Sequence, residues 1–246
     1  MSRVAYLLYG LVAYLLFFAA ILYGIGFVGN FVVPKGIDDG QIAPLSTAIL
    51  VNVLLLFLFA VQHNVMARRW FKDWWTEYVP RPIERSTYVA ASSLILLLVY
   101  WQWRPMPDVV WHVENSIGRG VLWVLYFAGW AIVFASSFVI DHFELFGLRQ
   151  VWNHFIGREP APPHFTERLF YRWVRHPLML GFIIAFWAAP TMSEGRLLFA
   201  AVTTIWILIA IPIEERDLGD SLGEPYLQYR RRTPMLLPRI MSRKND

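Results

Sequence analysis

Four stretches of this chain, residues 4–29, 44–66, 88–103 and 120–140, are apolar over about the 20 residues that a helix needs to cross a bilayer, the third being short. In hydrocarbon, backbone N–H and C=O groups find no water, so a lone run of this kind must satisfy them internally as a helix. The first stretch exceeds the 7–15-residue apolar core of a signal peptide, and 24–29 has no convincing small-residue cleavage site, so it is expected to be a retained span. Residues 178–189 are apolar for only 12 positions before Pro190-Thr-Met-Ser-Glu-Gly195 interrupts them, and 197–213 are apolar again. These two segments are expected to form a helical hairpin that crosses the bilayer fully or only in part, giving five or six spans in an all-α polytopic membrane protein. No internal repeat is visible, and residues 1–246 are expected to form one membrane domain, of which 141–246 carry a polar connector, the hairpin and a polar tail.

Composition fits that reading. Of 246 residues, 57% are hydrophobic and 16% charged, where an ordinary soluble domain has about 25% charged. Mean hydropathy is +0.44. A soluble enzyme, a disordered tail and a fibrous protein are excluded. With no cysteine, so are disulfides, thiolate metal sites, iron–sulfur clusters and cysteine nucleophiles.

The net charge of +4 matters less than its distribution. Arg3, five basic residues in 64–87, five in 141–177 and seven after Ile213 fall on one side of the expected spans, 18 of the 22. Only Lys35, Arg104, Arg119 and Arg196 fall opposite. The positive-inside rule then puts both termini in the cytoplasm, with Trp74, Trp75, Trp101, Trp103 and Trp111 near span ends as interfacial aromatics. The spans hold little that is polar besides Asn52, Ser92, Ser93, Gln102, Ser136 and Ser137, which argues against a transporter. Tyr6, Tyr9, Tyr14, Tyr23 and the glycines 24, 26 and 29 of the first span fit helix packing. Chemistry on a charged, water-soluble cofactor is expected in the three basic segments, at the cytoplasmic face of a bacterial inner membrane.

Two groups of residues carry that chemistry. Arg175-His176-Pro177 with Gly181 opens the hairpin, and Glu214-Glu215 leaves it, followed by Tyr226, Tyr229 and Arg230-Arg231-Arg232. Proline in the first turn of a helix with interfacial Arg and His is itself an ordinary arrangement. Paired carboxylates facing Arg and His also fit a neutralising network at the interface. Equally, they fit a zwitterionic cationic ligand, whose positive groups carboxylates and aromatic faces would take and whose carboxylate Arg and His would take.

These blocks, Arg175-His176-Pro177-x-x-x-Gly181, Glu214-Glu215-x-x-Leu218, Leu222-Gly223-x-x-Tyr226-x-x-Tyr229, Pro234 and Pro238, resemble the C-terminal signature of the isoprenylcysteine carboxyl methyltransferase superfamily, which includes NnrU-like proteins. Gln62-His63-Asn64-x-Met66-Ala67-Arg68, Glu84-Arg85-Ser86-Thr87-Tyr88-Val89, Trp101-Gln102-Trp103-Arg104-Pro105 and the run Asp141–Gln150 extend the similarity over most of the chain, to the membrane-bound methanethiol S-methyltransferases. The resemblance implies S-adenosylmethionine bound between hairpin and tail, by Tyr171, Arg175, His176, Pro177, Gly181, Glu214, Glu215, Tyr226, Tyr229 and Arg230, and a small volatile thiol as acceptor, methanethiol giving dimethyl sulfide. Met179 stands where many superfamily members have tyrosine, and Leu222 replaces a commoner phenylalanine. A prenylcysteine carboxylate or another lipophilic acceptor, or a non-enzymatic NnrU-like role, are the alternatives.

Thiol methylation needs in-line alignment and a thiolate. In Asp141-His142-x-Glu144, at the end of the fourth span, His142 is the first candidate proton acceptor, with Asp141 or Glu144 orienting it; His63, at the end of the second span, is the other. Both also fit satisfied residues at a helix end. Asp141, His142, Glu144, His154 and His164 lie within 24 residues but lack the spacing that puts two histidine ligands on one helix face, so no metal is expected. The arginine run at 230–232 is assigned to topology and surface contact, with Arg230 on the cofactor and no nucleic-acid partner.

Overall fold

The computed structural model describes residues 2–159 and 167–238. Helix α1 (Arg3–Gly29) starts where the Ser2 hydroxyl accepts the Ala5 N–H and ends at Asn30, in the left-handed conformation. α2 (Leu45–Ala67) and the short α3 (Arg69–Trp75) follow. α4 (Arg81–Gln102) begins two turns before its apolar stretch, because Pro82 supplies a preset first turn. The third stretch is therefore long enough. Strand β1 (Val109–His112) leads to α5 (Ser116–Ile140), capped by Asn115, and then to α6 (His142–Leu145) and α7 (Leu148–Ile156). The hairpin is α8 (Pro177–Trp187), strand β2 (Thr191–Ser193) and α9 (Glu194–Leu222), and Gly223 at φ 67° turns the chain into α10 (Glu224–Arg232).

Five helices, α1, α2, α4, α5 and α9, are long and apolar enough to span. They make the chain an integral membrane protein of the expected all-α class. At about 1.5 Å per residue, the 11 residues of α8 reach about 16 Å, half a hydrocarbon core, while the 29 of α9 reach about 43 Å. α9 therefore overshoots, carrying Glu214 and Glu215 out of the apolar layer beside the start of α8. Side chains such as Leu8, Leu15, Phe57, Val124 and Ile205 are exposed on the outer faces of the bundle, where they meet lipid.

The far end is closed by β1 and β2, an antiparallel pair with Trp111 opposite Met192. The four opposing basic residues gather at this end. Lys35 donates to the carbonyls of Trp101 (2.6 Å) and Trp103 (2.9 Å), and Arg196 lies below the Tyr126 ring. Asn52, deep in α2, both donates to the Arg104 carbonyl (2.8 Å) and accepts its N–H (2.9 Å). Burial pulls the Lys35 amine below its ordinary pKa and pushes the Asp38 carboxyl above its own. The core beneath is aromatic, with Phe27, Tyr100, Trp103, Tyr126, Trp130, Phe186 and Phe199 in contact.

α5 and α8 pack most closely of all, on two glycines. A Cβ on Gly129 would sit 2.6 Å from the Gly181 carbonyl and the Ala185 nitrogen, and one on Gly181 2.7 Å from the Gly129 carbonyl. Backbone cannot yield as a flexible side chain does, so Gly129→Val is expected to cost at least the 1–3 kcal/mol typical of overpacking, about 3 kcal/mol here. Gly120→Ala, with nothing within 4 Å of the new methyl, should be neutral or stabilising by up to about 1 kcal/mol. Thermal unfolding in detergent checks both.

Candidate active site

At the basic end, the segment before α8 is fastened to the tail. The Arg175 N–H donates to the Pro234 carbonyl (2.9 Å) and the His176 N–H to that of Met235 (3.1 Å). These bonds aim both side chains at α9. There Glu215, 3% exposed, accepts from Arg175 Nε (2.6 Å) and bonds His176 Nε2 (3.0 Å) through Oε1, and meets Arg230 Nε (3.0 Å) through Oε2. Arg175 also donates to the carbonyls of Arg230 (2.9 Å) and Thr233, tying α10 to the hairpin. Hairpin and tail thus converge on one carboxylate.

Glu214, its neighbour, faces elsewhere. Its side chain is 42% exposed, yet Oε2 is buried without a hydrogen-bond partner among the described residues. The nearest cation is His176, whose Nδ1 lies 3.7 Å away. Tyr171, Tyr226 and Tyr229 are buried beside this cluster, and the Tyr229 hydroxyl donates to the Tyr171 carbonyl (2.7 Å). Burial, reinforced by nearby carboxylates, raises all three phenols, Tyr229 to about 12, so they stay neutral. A cavity of about 330 Å³ opens between α9 and α10, walled by Pro212, Glu215, Gly219, Leu227 and Arg230. Among the described residues Arg230 is bound through Nε alone, which leaves its outer nitrogens available there.

Of the residues expected to hold a cofactor, the structure brings Arg175, His176, Glu214, Glu215, Tyr171, Tyr226, Tyr229 and Arg230 together. Pro177 forms the first turn of α8, and Gly181 sits one turn further on, at the α5 crossing, where packing accounts for it.

The two candidate bases part company. His142 is buried between α1, α5 and α6, with Nε2 2.8 Å from the Tyr14 hydroxyl, Nδ1 2.8 Å from that of Ser137, and the ring stacked on Phe138 at 4.2 Å. Both nitrogens are engaged, and burial lowers its pKa, with Asp141 opposing only in part. Contrary to expectation, neither Asp141 nor Glu144 orients the ring. Asp141 caps α6 through the Glu144 N–H (3.1 Å) and pairs with Arg149 (2.7 Å). His63 instead lies exposed near the end of α2, between the rings of Phe59 and Tyr88 at 5.4 Å each. Arg68, which pairs with Asp217 of α9 at 2.7 Å, and Arg85, which stacks 4.9 Å over Tyr88, surround it. Sequence reasoning gave these arginines to topology, although both lie in the conspicuous blocks 62–68 and 84–89. Among the described residues no three His, Asp or Glu side chains form a group able to hold a metal, and His164 lies outside them.

Comparison with known proteins places this architecture. Residues 51–229 match the family described as NnrU protein. The chain belongs to the NnrU family. This NnrU family member is 58% identical over 231 residues (94% of the chain, 81% of the relative) to methanethiol S-methyltransferase 1 of Bradyrhizobium diazoefficiens. It is 54% identical over 238 residues (97% and 98%) to the methanethiol S-methyltransferase of Mycobacterium tuberculosis. Mouse nurim is 33% identical over 175 residues, 68% of this chain and 66% of nurim. No solved structure matches.

Because Glu215 is the shared partner of Arg175, His176 and Arg230, Glu215→Ala leaves buried positive charge uncompensated and should cost about 3–5 kcal/mol. The tail, held by the same residues, should then become the first site of limited proteolysis, around 223–238. Glu214→Gln, which breaks no hydrogen bond, should change stability by less than about 0.5 kcal/mol.

Proposed function

We propose that this protein transfers a methyl group from S-adenosylmethionine to methanethiol, giving dimethyl sulfide and S-adenosylhomocysteine. The observation that carries this reading is the near full-length similarity to proteins named methanethiol S-methyltransferase. The site's chemistry supports it. S-adenosylmethionine is a zwitterion with an added sulfonium, and this cluster offers an acceptor, the Oε2 of Glu214 that has no hydrogen-bond partner among the described residues, and a donor set, the outer nitrogens of Arg230.

Glu214 would hold the ammonium or ribose hydroxyls and Arg230 the carboxylate, with neutral Tyr171, Tyr226 and Tyr229 as walls. Glu215 is taken up by Arg175, His176 and Arg230, and Arg175 also by two backbone carbonyls, so they position His176 and Arg230 and touch the cofactor least. When bound, S-adenosylmethionine supplies an electrophilic methyl group. The protein's own work is to hold the acceptor in line with it and to exclude water, the part of catalysis that orientation provides. The positive-inside rule assigns the basic end, and with it the site, to the cytoplasmic face of a bacterial inner membrane. A volatile, apolar thiol partitions into lipid, which fits an enzyme embedded there.

Detergent-purified protein given methyl-labelled S-adenosylmethionine and methanethiol should release labelled dimethyl sulfide into the headspace. Glu214→Gln should weaken cofactor binding at least about tenfold, equivalent to about 1.4 kcal/mol, while the protein stays folded. Labelled cofactor bound without transfer to methanethiol would move the acceptor elsewhere, and no binding at all would refute the methyltransferase reading.

A further inference from the structure

We propose that the cleft around His63, between the ends of α2, α3, α4 and α9, takes up the small thiol, with His63 accepting its proton and Arg85 and Lys72 holding the resulting thiolate. The proposal rests on the methyl-transfer reading above and names the acceptor half of that site.

His63 is an exposed residue near the end of α2. Phe59 and Tyr88 pack against its ring, an apolar border for a small alkyl group. The two charges that bear most on the ring are the guanidiniums of Arg85 and Arg68, and their field favours an anion placed beside it. Arg68 is already paired with Asp217. Arg85 spends only Nε, on the Leu145 carbonyl (2.7 Å), while its outer nitrogens have no partner among the described residues. The same holds for the Lys72 amine, which burial and Arg85 hold below the ordinary lysine pKa.

The charged and titratable groups facing the cleft are Arg68, Lys72 from α3, Glu84, Arg85 and Tyr88 from α4, and Glu214 and Asp217 from α9. Glu214 is within electrostatic reach of both Tyr88 and His176. Arg68, at the end of α2, bonds Asp217, one turn beyond Glu214 on α9, so the groups around His63 adjoin the Glu214–Glu215 cluster, and the sulfur nucleophile and the methyl donor would meet beside Glu214.

The proton step balances within this cleft. The S–H bond breaks, the proton goes to a neutral His63 nitrogen, and the electron pair stays on sulfur, beside Arg85 and Lys72. That pair then forms the new bond to the methyl carbon, and His63 returns its proton to water. The need is physical: near pH 7 only a small fraction of a simple thiol is thiolate.

The test is the pH profile of His63→Gln and Arg85→Met with methanethiol and with trifluoroethanethiol, a small but more acidic thiol. Labelled S-adenosylmethionine binding is measured separately. His63→Gln should bind cofactor within about twofold of wild type but lose about 10²–10⁴-fold in kcat/KM near pH 7. The loss should shrink as pH rises and for the acidic thiol, which arrives already ionised. Arg85→Met should raise KM for thiol, and Arg85→Lys should restore most of it. Without turnover, thiolate ultraviolet absorbance should appear when trifluoroethanethiol is added to wild type near pH 6 and be absent in Arg85→Met.

A His63→Gln loss equal at every pH and for both thiols, unimpaired activity, or weakened cofactor binding would overturn the proposal. If wild type binds cofactor and methylates no thiol, the underlying reading fails instead.

Discussion

Glu215 sits buried in hydrogen-bonding contact with two guanidiniums and an imidazole drawn from separate parts of the chain. An isolated carboxylate in such a place would be prohibitive, and so would isolated guanidiniums, so each makes the other tolerable. The consequence is mechanical as well as electrostatic. Arg175 belongs to the hairpin entrance and Arg230 to the tail helix, so satisfying one carboxylate docks a polar, water-facing tail onto a membrane bundle. Glu215 is spent on that task, whereas Oε2 of its neighbour Glu214 has no hydrogen-bond partner among the described residues.

Helix length sets this geometry. α8 is about half as long as a bilayer is thick, whereas α9 is longer than one. If the two arms matched, Glu214 and Glu215 would end within the apolar layer. The tight glycine crossing of α5 and α8 fixes the short arm, and the β1–β2 ribbon fixes the hairpin's far turn. Between these anchors Glu214, Glu215 and Arg230 are carried by helices, while Arg175 and His176 lie on the short segment before α8 that the tail fastens.

The spans were legible because hydropathy is a local property, and the two-ended distribution of charge because loops alternate sides. Arg175, His176, Glu214 and Glu215 stood out through a motif whose parts meet only in three dimensions. What escaped depends on distant partners. His142 looked like a base from its neighbours Asp141 and Glu144, but it is satisfied by Tyr14, 128 positions away, and by Ser137. Arg68 and Arg85 counted toward topology, and nothing local says that one bridges to α9 and the other stacks on Tyr88. The first turns of α4 were hidden by Arg81, Glu84 and Arg85, which lower hydropathy without opposing a helix.

In the proposed arrangement the ligand sits between the Arg175–His176 entrance, the end of α9 and the folded-back tail. Amide hydrogen exchange of the detergent-solubilised protein with and without S-adenosylhomocysteine tests it directly. Slowed exchange is expected in 171–177, 211–217 and 224–236, with the α6 region around His142 unchanged. Protection centred on α6 and α7 instead, or no change in the tail, would contradict it.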